Sequence, residues 1–134
     1  MRGLHLTADL HGCAAGRALA TDPAALRACC LAAVDAAGLL AVGELFHRFV
    51  PPAGARAGVP IGVTGVVLLA ESHLAVHTWP ELAAATLDVY VCNVGGDNSA
   101  RAAALLEGLI GAFAPERVER HRIERGAIAA AATK

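Results

Sequence analysis

The chemistry-bearing residues of the chain cluster at positions 71–81. In eleven positions this stretch holds two acids, a hydroxyl, two imidazoles and an indole, as Glu71, Ser72, His73, His77, Trp79 and Glu81. The residues just before it, 63–70, are almost wholly apolar and aliphatic, which is typical of a buried strand. A buried strand therefore leads directly into a group of reactive side chains, and we expect this group to carry the function.

The two histidines of the cluster are poorly placed to bind a metal ion together. On a strand, the four-residue spacing of His73 and His77 separates them by roughly 13 Å, too far to share an ion. They also lack the helical His-Glu-x-x-His setting in which that spacing does bind zinc. A contribution from Cys92 would depend on a fortunate strand register. The sequence therefore predicts no metal site.

Two other kinds of catalysis also fit poorly. Ser72 has no glycine elbow around it, which argues against a Ser-His-acid hydrolase. The only lysine is Lys134, whereas a pyridoxal phosphate enzyme holds its cofactor on an internal lysine. An isolated serine or histidine in a sheet is usually a satisfied polar group, so a non-catalytic interaction domain stays open as an alternative.

The position of Ser72 between two predicted strands suggests a different chemistry. A tight bend there can strain the Glu71–Ser72 peptide bond. A strained peptide beside a hydroxyl can rearrange from an amide to an ester, and a nearby base can eliminate that ester to dehydroalanine. Hydrolysis of dehydroalanine then gives a pyruvoyl group, which is an electrophilic carbonyl that requires no lysine.

The elements that must position this cluster alternate as β-α-β-β-β-β-α-β. Hydrophobic alternation predicts strands, and alanine-rich helices begin at Asp22 and at Asp97 or Asn98. Neighbouring strands joined by tight turns pair antiparallel, and each helix carries one apolar stripe. We expect an α+β fold, a two-layer sandwich of an antiparallel sheet with two helices on one face. Prolines and glycines predict a loop over 51–60, and the tail from Gly126 is expected to fray.

Composition limits the class of protein further. The 134 residues fit one domain, residues 1–134, and 56% of them are hydrophobic. A formal net charge of −1 gives no basic excess for nucleic-acid binding. No apolar run is long enough to predict a membrane span, and no signal-peptide layout is visible. We therefore expect a cytoplasmic protein with reduced cysteines.

Four motifs stand at a characteristic spacing along the chain. They are Gly-Val-Thr-Gly-Val-Val at 62–67, Glu-Ser-His-Leu at 71–74, His-Thr-Trp-Pro-Glu at 77–81 and Asp-Val-Tyr-Val-Cys at 88–92. Together with His5, Gly12-Cys13, Phe-His-Arg-Phe at 46–49 and Glu-Arg-Gly at 124–126, they resemble the short prokaryotic S-adenosylmethionine decarboxylase proenzymes. The likeness covers most of the chain and includes the spacing from Ser72 to His77 to Cys92.

The resemblance implies that the chain cleaves itself between Glu71 and Ser72. Residues 1–71 would form the β chain, and residues 72–134 the α chain. Ser72 would become a pyruvoyl cofactor that forms a Schiff base with S-adenosylmethionine, and decarboxylation would yield the aminopropyl donor for spermidine biosynthesis. Family members assemble as dimers of processed αβ protomers, a heterotetramer, with their sites between subunits.

The resemblance also implies roles for other residues. His77 would be the base of the processing reaction, and Thr64 stands where the family carries a serine that assists it. Cys92 would be the proton donor after carbon dioxide leaves. Glu81 would bind the ribose hydroxyls, and Phe49 would stack on the adenine ring.

Three departures from the family pattern bear on the substrate. Thr64 replaces the usual serine, Asn93 replaces a common glycine, and the loop at 51–61 is longer than usual. Because the loop follows Phe49, it could change the substrate pocket. A related pyruvoyl-dependent decarboxylase acting on another amino acid, such as arginine or ornithine, therefore stays open.

Overall fold

A single antiparallel sheet of six strands forms one layer of the computed structural model, which describes residues 2–126. The strand order across the sheet is β2-β3-β4-β5-β1-β6. The elements follow the chain as β1 Gly3–His11, α1 Arg17–Thr21, α2 Pro23–Ala36, β2 Ala41–Arg48, β3 Val63–Leu69, β4 Ser72–Trp79, β5 Ala84–Cys92, α3 Ser99–Phe113 and β6 Arg117–Arg125. The predicted α+β two-layer sandwich is confirmed, whereas the predicted frayed tail lies almost wholly outside the described residues.

The helices cover one face of the sheet and bury its apolar side chains. Alternation along the strands directs one set of residues toward α2 and α3, as in β5, where Ala85, Leu87, Val89 and Val91 are buried. Helix α3 contributes Leu105, Leu109 and Phe113 to the same core, and each of these is 0% exposed. Burial of this continuous apolar layer holds the central strands in register.

The helical layer contains one more helix than the sequence predicted. The five-residue helix α1 lies between β1 and α2 and is too short for hydrophobic periodicity to reveal. The predicted cap of α2 is confirmed, because the Asp22 carboxylate accepts a hydrogen bond from the amide of Ala24 at 3.0 Å. At α3 the cap position is held by Asn98, while the Asp97 carboxylate accepts from the Ser99 amide at 2.9 Å.

Two glycines of the motif at 62–67 allow close packing around β3. A Cβ atom on Gly62 would lie 2.1 Å from the carbonyl oxygen of Thr78, and one on Gly65 would lie 2.1 Å from the ring of Phe46. Both contacts are far shorter than van der Waals distance, so neither position has room for a larger residue. These glycines therefore serve packing, and they set the approach of β2 and β4 to β3.

The opposite face of the sheet is covered by no element among residues 2–126, and we call it the open face. It carries the odd-numbered residues of β1, β4 and β6, those of β2 from Gly43 onward, and the even-numbered residues of β3 and β5. All six histidines lie on this face. Large apolar side chains are exposed there as well, namely Leu45, Leu68, Trp79 and Ile123. Within the same residues, no helix is long and apolar enough to cross a membrane.

Candidate active site

Ser72 is the first residue of β4 and follows a tight turn from β3. The residue before it, Glu71, has a φ of 63°, which is in the left-handed region. For a residue with a Cβ atom this conformation costs about 1–2 kcal/mol. Backbone strain therefore falls on Glu71, whose carbonyl is joined to Ser72, whereas the sequence predicted strain in the peptide bond itself.

The hydroxyl of Ser72 is fixed by the neighbouring strand. Strands β4 and β5 pair antiparallel, so the last residue of β5, Cys92, lies beside the start of β4. The backbone N–H of Cys92 donates a hydrogen bond to Ser72 Oγ at 3.1 Å. The fold thus brings the Cys92 backbone to the Ser72 hydroxyl, and Cys92 itself is half-buried.

The other three cysteines belong to the packed layer. Burial raises the pKa of the Cys13 and Cys29 thiols, and it raises that of Cys30 to about 12. A raised pKa keeps a thiol protonated and unreactive near neutral pH. These cysteines therefore pack as small apolar groups, which leaves Cys92 as the cysteine positioned for chemistry.

A pocket of about 390 Å³ opens beside Ser72, and its wall was not predicted from the sequence. The His73 ring stacks on Tyr90 with 5.8 Å between centroids, and the Arg125 guanidinium carbon lies 5.3 Å from the Tyr90 centroid. The pocket is lined by Glu71, Ser72, His73, Tyr90, Arg125 and Gly126. Alternation could have placed His73 and Tyr90 on one face, but Arg125 reaches the pocket only because β6 pairs with β1.

Next to this wall, His5 forms a short contact with Asp88. His5 Nε2 is 2.6 Å from a carboxylate oxygen of Asp88, and the His5 ring meets Tyr90 edge-on with 6.1 Å between centroids. The sequence motifs included both residues but gave them no role. Their contact holds the Tyr90 side of the pocket in place.

Thr64 and His77 lie together in the middle strands. They are directly opposite each other in the β3–β4 pairing, and Thr64 Oγ1 is 2.9 Å from His77 Nδ1. This contact can orient the imidazole of His77. The two residues for which the sequence suggested processing roles are therefore neighbours.

Ser72 and His77 are not brought together within one protomer. They are five residues apart on the same strand, β4, which corresponds to roughly 16 Å. A base must come within hydrogen-bonding distance of the proton that it removes. His77 therefore cannot act on Ser72 of its own chain in this fold.

Phe49 and Glu81 lie toward the His77 side of the molecule. The Phe49 amide donates to the Gly62 carbonyl at 3.2 Å, and its ring is 5.0 Å from that of His47. Glu81 follows the end of β4 and shares a groove with residues 56–60 of the long loop. We call Phe49, Thr64, His77 and Glu81 the His77 end. We call the group around Ser72 and Cys92 the Ser72 end.

Comparison with known proteins identifies the family of the chain. The family model for S-adenosylmethionine decarboxylase matches residues 4–126. The S-adenosylmethionine decarboxylase proenzyme of Aquifex aeolicus is 37% identical, over 94% of this chain and 82% of its own. The corresponding proenzyme of Archaeoglobus fulgidus is 33% identical, over 92% of this chain and 97% of its own. A crystal structure of the Aquifex aeolicus adenosylmethionine decarboxylase superposes with a TM-score of 0.76 at 35% identity, covering 92% of this chain and 90% of that one. The family resemblance is confirmed, and the chain belongs to the S-adenosylmethionine decarboxylase family.

Proposed function

We propose that this protein is a self-processing S-adenosylmethionine decarboxylase whose pyruvoyl group derives from Ser72. The observation that carries the proposal is the strained Glu71 next to a hydroxyl that is fixed by the Cys92 amide. Release of the strained Glu71 backbone favours rearrangement of its bond to Ser72, and the fixed hydroxyl is the attacking group. Membership of the S-adenosylmethionine decarboxylase family indicates which reaction this local geometry serves.

Processing is an intramolecular rearrangement followed by an elimination. Ser72 Oγ attacks the Glu71 carbonyl carbon, the C–N bond breaks, and the chain is then joined through an ester. A base removes the α proton of Ser72, and Glu71 leaves as a carboxylate, so that dehydroalanine remains. Addition of water and loss of ammonia leave the pyruvoyl group at residue 72. The products are a chain of residues 1–71 and a chain of residues 72–134.

The residues of the Ser72 end fit a pyruvoyl group at position 72. That group supplies an electron sink for decarboxylation of an amino acid. Cys92 is adjacent to it and carries the proton for the carbon that loses carbon dioxide. The stacked His73 and Tyr90 rings form an apolar wall, and Arg125 brings a positive charge to the same pocket.

The processing base must come from a second copy of the chain. Because roughly 16 Å of β4 separates His77 from Ser72, each site requires His77 and Thr64 of the partner subunit. Two open faces packed about 10 Å apart, with their strands running in opposite directions, would bring each Ser72 end against the partner's His77 end. Phe49 and Glu81 of the partner subunit would then contact the adenosine portion of the substrate.

The composition of the open face supports a second copy of this chain as its partner. Leu45 is 73% exposed, Leu68 is 52% exposed and Ile123 is 49% exposed, although they lie on a sheet. A face with several exposed apolar residues is favourable to bury. Pairing it with itself would give a four-layer assembly with helices outside and two composite sites, a dimer of αβ protomers.

The product would be the decarboxylated aminopropyl donor used in spermidine biosynthesis. Its formation belongs in the cytoplasm, the location that we propose from the sequence composition. The long loop at 51–61 shares a groove with Glu81, so it is the segment through which this chain could differ in substrate choice.

Carbon dioxide release from carboxyl-labelled substrates tests this function. We expect the processed enzyme to release label from S-adenosylmethionine, with arginine and ornithine at the background of the Ser72→Ala variant. That variant cannot form the pyruvoyl group and is the matched blank. Faster release from arginine or ornithine would show that the loop has changed the substrate, and no release from any of the three would overturn the proposal.

A further inference from the structure

Two carboxylates face each other at the edge of the open face, away from the Ser72 end. Asp9 of β1 and Glu119 of β6 are directly opposite in the antiparallel pairing. Like charges in that position repel and weaken the pairing unless something neutralises them. Arg117 contacts Glu119, whereas the Asp9 carboxylate makes no hydrogen bond or ion pair with the described residues 2–126.

Imidazoles accompany these carboxylates. His121 is two residues beyond Glu119 on the same strand face, and one ligand atom from each of Asp9, Glu119 and His121 lies within 4.8 Å of the others. The Nε2 atom of His11 is 3.9 Å from Glu119 Oε1. The corner therefore combines two acids and two imidazoles, drawn from neighbouring strands whose adjacency the sequence does not reveal.

We propose that Asp9, Glu119 and His121 bind a divalent transition-metal ion, with zinc the best match. Imidazole nitrogen and carboxylate oxygen are the ligands that zinc takes at about 2.0–2.2 Å, whereas magnesium and calcium prefer oxygen alone. Four tetrahedral ligands at that distance stand roughly 3.4 Å from one another. The three side chains can close from 4.8 Å by changing rotamer. His11 or water would complete the coordination.

A metal ion here would neutralise the opposed carboxylates and join β1 to the edge strand β6. The charged neighbours are Arg117, which competes for Glu119, and His11, whose Nε2 atom is a further nitrogen ligand close to Glu119. The site uses none of the residues assigned to processing or decarboxylation.

Calorimetric titration of the full-length protein with zinc, together with the visible spectrum of the cobalt-loaded protein, tests the site. We expect one ion per protomer and cobalt d–d absorption without a thiolate charge-transfer band, because the ligands are nitrogen and oxygen. Asp9→Asn and His121→Ala should each weaken binding at least about tenfold. His47→Ala removes a histidine from the same face on the far side of the sheet, and it should leave the affinity unchanged.

Several results would overturn the proposal. They are no zinc binding by the parent protein, parent-like binding by both ligand variants, an equal loss in His47→Ala, and a thiolate band in the cobalt spectrum. If Asp9→Asn or His121→Ala fails to fold, the near-isosteric Glu119→Gln decides the question in its place. Parent-like affinity of that variant would count against the site.

Discussion

At the scale of residues, Cys92 has two separate roles, one for its backbone and one for its side chain. Its backbone N–H holds Ser72 Oγ at 3.1 Å, while its thiol is the group that would return a proton during decarboxylation. A side-chain substitution keeps the first contribution and removes the second. The two reactions of the protein can therefore be separated by one substitution.

The Cys92→Ala variant should cleave itself but turn over slowly. Loss of a positioned proton donor typically costs 10²–10⁴-fold, so we expect kcat to fall by at least about 100-fold while cleavage still occurs. Gel analysis gives the cleaved fraction, and labelled carbon dioxide gives kcat. Cys29→Ala, a half-buried cysteine away from the site, should match the parent in both. Unchanged turnover in Cys92→Ala would show that another group donates the proton.

At the scale of elements, the link between β3, β4 and α1 depends on a buried hydroxyl. Thr78 Oγ1 donates to the Ala20 carbonyl at 2.7 Å and accepts from the Val63 amide at 2.8 Å. Thr78 is only 5% exposed, so water cannot replace these bonds. This hydroxyl fastens the end of β4 that carries His77 to the helical layer.

The Thr78→Val substitution should lower the free energy of unfolding by about 1–3 kcal/mol, because it leaves two buried backbone groups unpaired at nearly constant volume. Urea unfolding measures the change, best in an uncleaved Ser72→Ala background, where the protein remains one chain. Thr7→Val, on the open face, is the matched control and should lie within about 0.5 kcal/mol of its parent. If Thr78→Val were as stable as that control, the hydroxyl would have no structural role.

Most of the strands and helices could be predicted from the sequence, and the elements and contacts that were missed have physical causes. All six strands were predicted, β3 from a continuous apolar run and the others chiefly from alternation, and β2 has a register shift between Ala41 and Gly43. The short helix α1 was missed because one turn carries no periodicity. The corner of Asp9 and Glu119 was missed because β6 returns to pair with β1, a contact between residues 110 positions apart.

The candidate site was also predicted only in part. The bend at Glu71 followed from the junction of two strands and the proximity of Ser72 to Cys92 from the family spacing, and the structure agrees with both. The resemblance implied sites between subunits, whereas the separation of Ser72 from His77 within one protomer was not foreseen. It depends on β4 running unbroken between them, which fixes their distance.

At the scale of the whole molecule, the Ser72 end and the His77 end lie toward opposite ends of β4, and we propose that they form composite sites with a partner subunit. This arrangement makes a mixing experiment decisive. In a dimer of one Ser72→Ala chain and one His77→Ala chain, the intact Ser72 and the intact His77 meet in one composite site. Co-expression of the two variants should therefore give cleavage, and only of the His77→Ala chain.

Mass spectrometry of differently tagged chains identifies which chain is cut. Each variant expressed alone should remain largely uncleaved, and these are the controls. Absence of cleavage in the mixture, with mixed dimers verified by pull-down through one tag, would contradict an active site shared between protomers. It would require His77 to reach Ser72 in some other way.

The central claim is that the bond between Glu71 and Ser72 opens without any other protein and leaves a pyruvoyl group. The intact mass of the purified parent chain tests it most directly. We predict two fragments, residues 1–71 and 72–134, the second lighter by one ammonia than a fragment from simple hydrolysis. A single chain of full mass after prolonged incubation, or a second fragment that begins with an unmodified serine, would contradict the account.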